Sequence, residues 1–121
     1  MAKVLVVGAG FMGAGIAQVC AQSGHEVRMA DVSPEALERA VAGMRGSLAR
    51  LAAKGVVEQE PGEVLARVRP QADLAGAGEA DWIIEAALED LALKLELFAE
   101  LGRLARPDTP LASNTSSIPI T

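Results

Sequence analysis

The sequence predicts an α/β domain in which helices cover both faces of a parallel sheet that is incomplete at its C-terminal end. Three observations point there. Short β-branched or apolar runs alternate with helical stretches along the whole chain, a glycine-rich turn joins the first run to the first helix, and neither a repeat period nor a low-complexity linker interrupts the alternation. The 121 residues, half of them apolar, suffice for one core and are too few for two ordinary domains.

Lys3 to Val7 is a short β-branched run, and the helical stretch from Met12 to Ser23 closes at Gly24, a residue suited to the left-handed position after a helix. His25 to Asp31 reads as the second strand. Ser33 then caps, and Pro34 opens, a helix that runs to Lys54-Gly55. Pro61 to Val68 suggests a short helix and Pro70 to Leu74 a weak, edge-like strand, while Asp81 to Ala86 carries the continuous apolar run of a buried parallel strand. Leu93 to Leu97 alternates as a strand would. Leu91 to Ala105 as a whole is nevertheless predicted helical, because it consists of strong helix formers with no β-branched member, and Leu91, Leu95, Phe98 and Leu101 share a face. Pro107 stops that helix, Thr109 to Ser113 is a fifth strand, and Pro119 falls in the first turn of a further helix. A chain that stops as a helix begins, with a sixth strand position uncovered, reads as a fragment, and the apolar surface so exposed predicts poor solubility or self-association.

A net charge of −5 with only Phe11, Trp82 and Phe98 as aromatics argues against a nucleic-acid partner that stacks bases along a basic groove. Cys20 is the only cysteine and cannot close an intramolecular disulfide, which suits a small core residue in a reducing cytoplasm. The apolar segment from Val4 to Ala17 has glycines at motif spacing and ends at Gln18, short of the roughly 18 residues a membrane span needs, so neither a span nor a secretory leader is expected. One histidine and one cysteine make no metal site.

The chemistry concentrates in Gly8-Ala9-Gly10-Phe11-Met12-Gly13. Gly8 permits a tight turn out of the strand, Gly10 lets a pyrophosphate approach backbone, and Gly13 lets helix and sheet pack closely. The helix start offers free N–H groups and the positive end of a dipole to phosphates. A GxGxxG pattern alone is weak. Here it follows a β-branched strand, opens a helix and precedes an acidic residue, Asp31, about 20 residues on at the end of the next strand, which together form the fingerprint of a dinucleotide-binding Rossmann βαβ unit. Asp31 would accept hydrogen bonds from the adenosine ribose hydroxyls and repel a 2′-phosphate, and Val32, Ser33 and Pro34 offer no arginine to welcome one, so NAD is expected over NADP.

With Gly-Ala-Gly-Phe-Met-Gly-Ala-Gly-Ile-Ala at 8 to 17, Ile-Glu-Ala-Ala-Leu-Glu-Asp at 84 to 90 and Ser-Asn-Thr-Ser-Ser at 113 to 117, the chain resembles the N-terminal NAD-binding domain of the L-3-hydroxyacyl-CoA (3-hydroxybutyryl-CoA) dehydrogenases over essentially its whole length. The resemblance implies oxidation of the 3-hydroxyl of an acyl-CoA with hydride passing to NAD, while a histidine oriented by a glutamate takes the hydroxyl proton. It assigns Ser116 a catalytic place at the nicotinamide and substrate-oxygen end, Glu89 and Lys94 to cofactor contacts, and Ser47 and Lys54 to the coenzyme A moiety. It also implies a homodimeric parent protein completed by a helical substrate domain.

Read without the family, each of these residues has a plainer role. Ser116 caps the helix ahead of Pro119, Glu89 and Asp90 complement a helix dipole, and Lys94 lies along the surface between leucines. Ser47, Arg50 and Lys54 share a helical stripe that suits solvent as well as phosphates. One departure bears on activity. The only histidine, His25, opens the second strand while Asp31 closes it, which puts His25 about 20 Å from the ligand-binding edge as a solvent-facing turn residue. The resemblance implies that the family's base comes after the Ser-Asn-Thr-Ser-Ser segment, past Thr121, and the chain alone is expected not to turn over. Two alternatives stand beside this reading: a dehydrogenase acting on a hydroxy acid without coenzyme A, and a stand-alone NAD-sensing regulatory module.

Overall fold

The computed structural model describes residues 2–56, 59–86 and 91–113, with the backbone alone for 91–94 and 113. The chain runs β1 (Lys3–Val7), α1 (Phe11–Gln22), β2 (Glu26–Ala30), α2 (Pro34–Ala53), α3 (Pro61–Leu65), β3 (Val68–Gln71), a 3-10 turn at Ala77–Glu79, β4 (Trp82–Glu85), α4 (Leu91–Leu104) and β5 (Leu111–Ser113). The five strands form one parallel sheet in the order β3-β2-β1-β4-β5. Successive strands therefore step outward from β1 in one direction and then resume on its other side at β4. That reversal opens a crevice at the carboxyl ends of β1 and β4, where open α/β sheets bind ligands.

The two-residue period of the strands sends alternate side chains into two cores. On one face Val4, Val6, Val27 and Met29 pack with Ala17 and Ala21 of α1, Ala40, Met44 and Leu48 of α2, and Val64 of α3. On the other, Leu5, Val7, Ala30 and Ile83 pack with Ala77, Ala80 and Leu101. Each fully buried Leu, Ile or Met contributes about 1.5–3 kcal/mol by leaving water, so the sheet is held from both sides, as a doubly wound fold requires. Ser33 caps α2 by accepting from the Ala36 N–H at 3.2 Å, and Pro34 occupies the first turn.

Four expectations are corrected. The short helix ends at Leu65 and β3 begins at Val68, because the Val27 N–H donates to the Arg67 carbonyl at 2.8 Å and starts the pairing with β2 before Pro70 is reached. Pro70 still lies on an edge strand, where its missing N–H leaves no ladder bond unmade. Leu95 is not on the inward face of α4 but 54% exposed, and the stripe that meets the sheet is Leu97, Phe98, Leu101 and Ala105. β4 is not apolar throughout, for its last residue, Glu85, is fully buried, while Trp82 at its start is about half exposed. Finally, His25 is half-buried, and its Nδ1 accepts the Ala2 N–H at 2.9 Å, which ties the chain start to the foot of β2.

Candidate functional site at the carboxyl edge of the sheet

The turn after β1 is built from backbone. Gly8 has φ 116°, a left-handed value that favours glycine, and its N–H donates to the Ala30 carbonyl at 2.7 Å, anchoring the turn to the end of β2. The Ala86 N–H donates to the Val7 carbonyl at 2.9 Å, so β4 braces the turn from the other side. A side chain at Gly13 would collide with the Gly8 carbonyl, whereas one at Gly10 would meet open space. Gly13 thus sets how closely α1 approaches the sheet, and Gly10 leaves its side of the loop clear. Gly10 is also the N-cap of α1, with no side-chain cap and no acidic residue in the first turn. The first-turn N–H groups therefore face the crevice with the positive end of the helix dipole and no competing carboxylate. Phe11 and Met12 stand outward, and Phe11 is 95% exposed.

Among the described residues, Asp31, immediately after β2, is the acid whose carboxylate bonds this loop. Its Oδ2 accepts the Ala9 N–H and its Oδ1 accepts the Ser33 N–H, each at 2.9 Å. Ala9 is buried and its N–H is committed to this bond, so it holds the loop to Asp31 rather than facing the crevice. Each carboxylate oxygen keeps a second acceptor position. Loop, helix start and carboxylate thus form one unit, with an opening that suits a pyrophosphate beside an acceptor that suits a diol.

A second feature lies against the same helix. An open groove of about 1150 Å³ runs between α1 and α2 from Gly10 and Phe11 past Gly15 and Gly43 to Ser47 and Arg50. The Ser47 Oγ accepts from Gln18 Nε2 at 3.0 Å, and the same nitrogen donates to Gln22 Oε1 at 3.0 Å. Of the predicted stripe, Ser47 and Arg50 line the groove, while Lys54 is the exposed C-cap of α2 beyond its wall. Burial pushes the Cys20 thiol, which also lines the groove, above the ordinary cysteine range. A smaller cavity of about 180 Å³, lined by Lys3, Glu26, Arg28 and Glu79, lies at the strands' opposite ends, away from the loop.

The structure thus gathers Gly8, Ala9, Gly10, Phe11, Met12, Gly13 and Asp31 at one edge and sets Ser47 on the adjoining groove. Glu89 and Ser116 lie outside the described residues, as does the side chain of Lys94. Sequence reasoning missed Gln18 and Glu85. A carboxamide in an Ala-rich helix and an acid closing an apolar strand were the available signals, and neither has a distinctive spacing. Among the described residues no helix is long and apolar enough to cross a membrane.

A five-stranded parallel sheet with this strand order, a glycine loop opening a helix and an acid at the end of the second strand define a dinucleotide-binding domain of the Rossmann type. The family model for the 3-hydroxyacyl-CoA dehydrogenase NAD binding domain matches residues 3–121, and the chain belongs to that family. It is 48% identical over 120 residues to a probable 3-hydroxybutyryl-CoA dehydrogenase of Bacillus subtilis (strain 168), covering 98% of this chain and 42% of that protein. It is 45% identical over 119 residues to the 3-hydroxyadipyl-CoA dehydrogenase of Escherichia coli (strain K12), covering 98% of this chain and 25% of that protein. The crystal structure of an E. coli K12 3-hydroxybutyryl-CoA dehydrogenase superposes with a TM-score of 0.92 at 44% identity, over 99% of this chain and 26% of that one. The chain thus spans less than half the length of these relatives, and NAD is the cofactor of the family to which it belongs.

Proposed function

We propose that this chain is the cofactor-binding part of an enzyme that oxidises an L-3-hydroxyacyl-CoA to the 3-oxoacyl-CoA. The observation that carries the reading is the Gly8–Gly13 loop locked to Asp31 through the Ala9 N–H, an arrangement that leaves an uncapped helix start beside a carboxylate. Bound NAD supplies the hydride acceptor, a chemistry that no side chain provides. The protein's part is to hold and orient it. The first-turn amides of α1, with Phe11, Met12 and Gly13, take the pyrophosphate, and the free acceptor positions of Asp31 take the adenosine ribose hydroxyls. By the family resemblance Glu89 and Lys94 contact the cofactor, and Ser116 hydrogen-bonds the reacting oxygen. Ser47 and Lys54 on α2 receive the coenzyme A moiety.

In the parent protein a histidine following residue 121 removes the hydroxyl proton, with a helical domain that closes the site and pairs two subunits. The support is twofold: the relatives are more than twice this chain's length, and the chain's own histidine is engaged at the opposite end of the sheet. Cytoplasmic residence belongs to the same reading and rests on the single Cys20.

The test follows absorbance at 340 nm with (S)-3-hydroxybutyryl-CoA and NAD, for the complete gene product and for residues 1–121. NADH formation by the complete product and none by the shorter chain is the expected result. No NADH from the complete product, or full turnover by residues 1–121, overturns the proposal. Complete product that accepts a free 3-hydroxy acid as well as its CoA thioester would favour the dehydrogenase that does not use coenzyme A.

A further inference from the structure

We propose that Gln18 is a positioning residue that fixes the Ser47 hydroxyl as a hydrogen-bond donor toward an anionic ligand in the α1–α2 groove; the ligand is coenzyme A, and the inference rests on the reading of Ser47 given above. A carboxamide nitrogen carries two N–H donors and accepts nothing. In Gln18 one of them meets Gln22 Oε1 and the other meets Ser47 Oγ, each at 3.0 Å. Gln22 therefore sets the orientation of the Gln18 amide, and the amide in turn occupies a lone pair of the serine oxygen. The serine's own hydrogen then points away from Gln18. A helical serine commonly spends that hydrogen on the carbonyl one turn back. Ser47 makes no such bond among the described residues, which leaves the hydrogen for an acceptor in the groove that Gln18 and Ser47 both line.

The charges along the groove specify that acceptor. Arg39 and Arg50 line it on the same α2 stripe as Ser47, Arg50 one turn beyond it, and neither guanidinium is ion-paired among the described residues. Among the described residues no carboxylate lines the groove. The lining between them is apolar or backbone: Gly15, Val19, Ala40, Gly43 and Met44. A hydroxyl donor between two cations on an apolar floor suits a phosphate followed by a less polar arm, the chemistry of coenzyme A.

The experiment is calorimetric titration of the chain with free coenzyme A, for the natural sequence, Ser47→Ala, Gln18→Met, Gln18→Glu and the double variant Ser47→Ala/Gln18→Met, with NADH titration and thermal melting of each. A group that acts only through Ser47 has no effect once Ser47 is gone. Ser47→Ala and Gln18→Met are each expected to weaken coenzyme A by about three- to tenfold, the loss of one ordinary hydrogen bond. The double variant is expected to be no weaker than Ser47→Ala. Gln18→Glu is expected to weaken coenzyme A at least as much as Gln18→Met, because a carboxylate draws the serine's hydrogen to itself and adds a negative charge. NADH affinity and melting temperature are expected to stay level.

If Ser47→Ala weakens coenzyme A and Gln18→Met does not, the proposal falls and the reading of Ser47 stands. If Ser47→Ala has no effect, both fall. A double variant that loses the product of the two single effects shows Gln18 touching the ligand itself and overturns the proposal. So does a Gln18→Met or Gln18→Glu variant whose NADH affinity and melting temperature drop along with coenzyme A binding.

Discussion

Gly13 and Gly15 lie two residues apart on α1, and the same substitution at each is expected to act with opposite sign. An alanine Cβ at Gly13 falls on the Gly8 carbonyl, 2.7 Å from its carbon, with the Ala86 Cβ 3.7 Å away. The obstructing atoms are backbone, and the Gly8 N–H holds that backbone to Ala30 at 2.7 Å, so the helix must lift off the sheet. Overpacking of this kind costs about 1–3 kcal/mol, offset by at most about 1 kcal/mol from alanine's better helix propensity. At Gly15 the added methyl meets nothing within 4 Å, so Gly15→Ala keeps the propensity gain of about 0.5–1 kcal/mol. The propensity gain is common to both, so the two variants are separated by the overpacking cost, about 1–3 kcal/mol, or about 4–12 °C in melting temperature for a domain of this size. Thermal melts followed by circular dichroism, with urea midpoints as a second measure, read this directly. A Gly13→Ala variant that melts at or above Gly15→Ala would refute the reasoning, because it would mean that Gly13 does not set the helix-to-sheet distance.

Three further outcomes are expected. Leu101→Ala removes a fully buried side chain from the α4 face of the sheet and should cost about 2–5 kcal/mol in urea denaturation, whereas Leu95→Ala, on the exposed side of the same helix, should change stability by less than about 0.5 kcal/mol. The Lys3 backbone N–H, and then Arg106, hold the Asp81 carboxyl below the ordinary aspartate range. A depressed folded-state value contributes stability above the unfolded-state value and loses it as pH falls through the folded one. Asp81→Asn should therefore flatten the acid limb of the stability profile below about pH 4, where an ordinary aspartate titrates, and an unchanged limb would contradict this. Burial raises the Cys20 thiol, so at pH 8 it should react with iodoacetamide more slowly than free cysteine does, the gap closing in urea.

Much of the fold was legible because local and global preferences agree here. The β-branched run at Lys3–Val7, the Ser33-Pro34 start of α2 and the glycine loop each demand one local conformation, and together they admit one architecture. The binding loop could be read because its glycines answer backbone requirements, which spacing alone reveals. Leu95 was misplaced because two helical stripes through the leucines of α4 are equally apolar in sequence, and only the packing of Leu97, Phe98 and Leu101 against the sheet chooses between them. Glu85 was hidden by its apolar neighbours. The Asp31–Ala9 and Gln18–Ser47 bonds could not be foreseen, since each joins residues brought together by the crossing of elements rather than by a repeat along the chain.

The central claim, that loop and Asp31 form a site for NAD, is tested most directly by calorimetric titration of the chain with NADH and NADPH, for the natural sequence and for Asp31→Asn. The substitution keeps the volume of the side chain while removing its charge and one of its acceptors. The account predicts that NADH binds at least about tenfold more tightly than NADPH, a gap of about 1.4 kcal/mol or more, and that Asp31→Asn, by removing a charge-assisted hydrogen bond of roughly 1.5–3 kcal/mol, takes away most or all of that preference. Equal affinity for the two dinucleotides, or an Asp31→Asn variant that still discriminates between them as the natural sequence does, would contradict it.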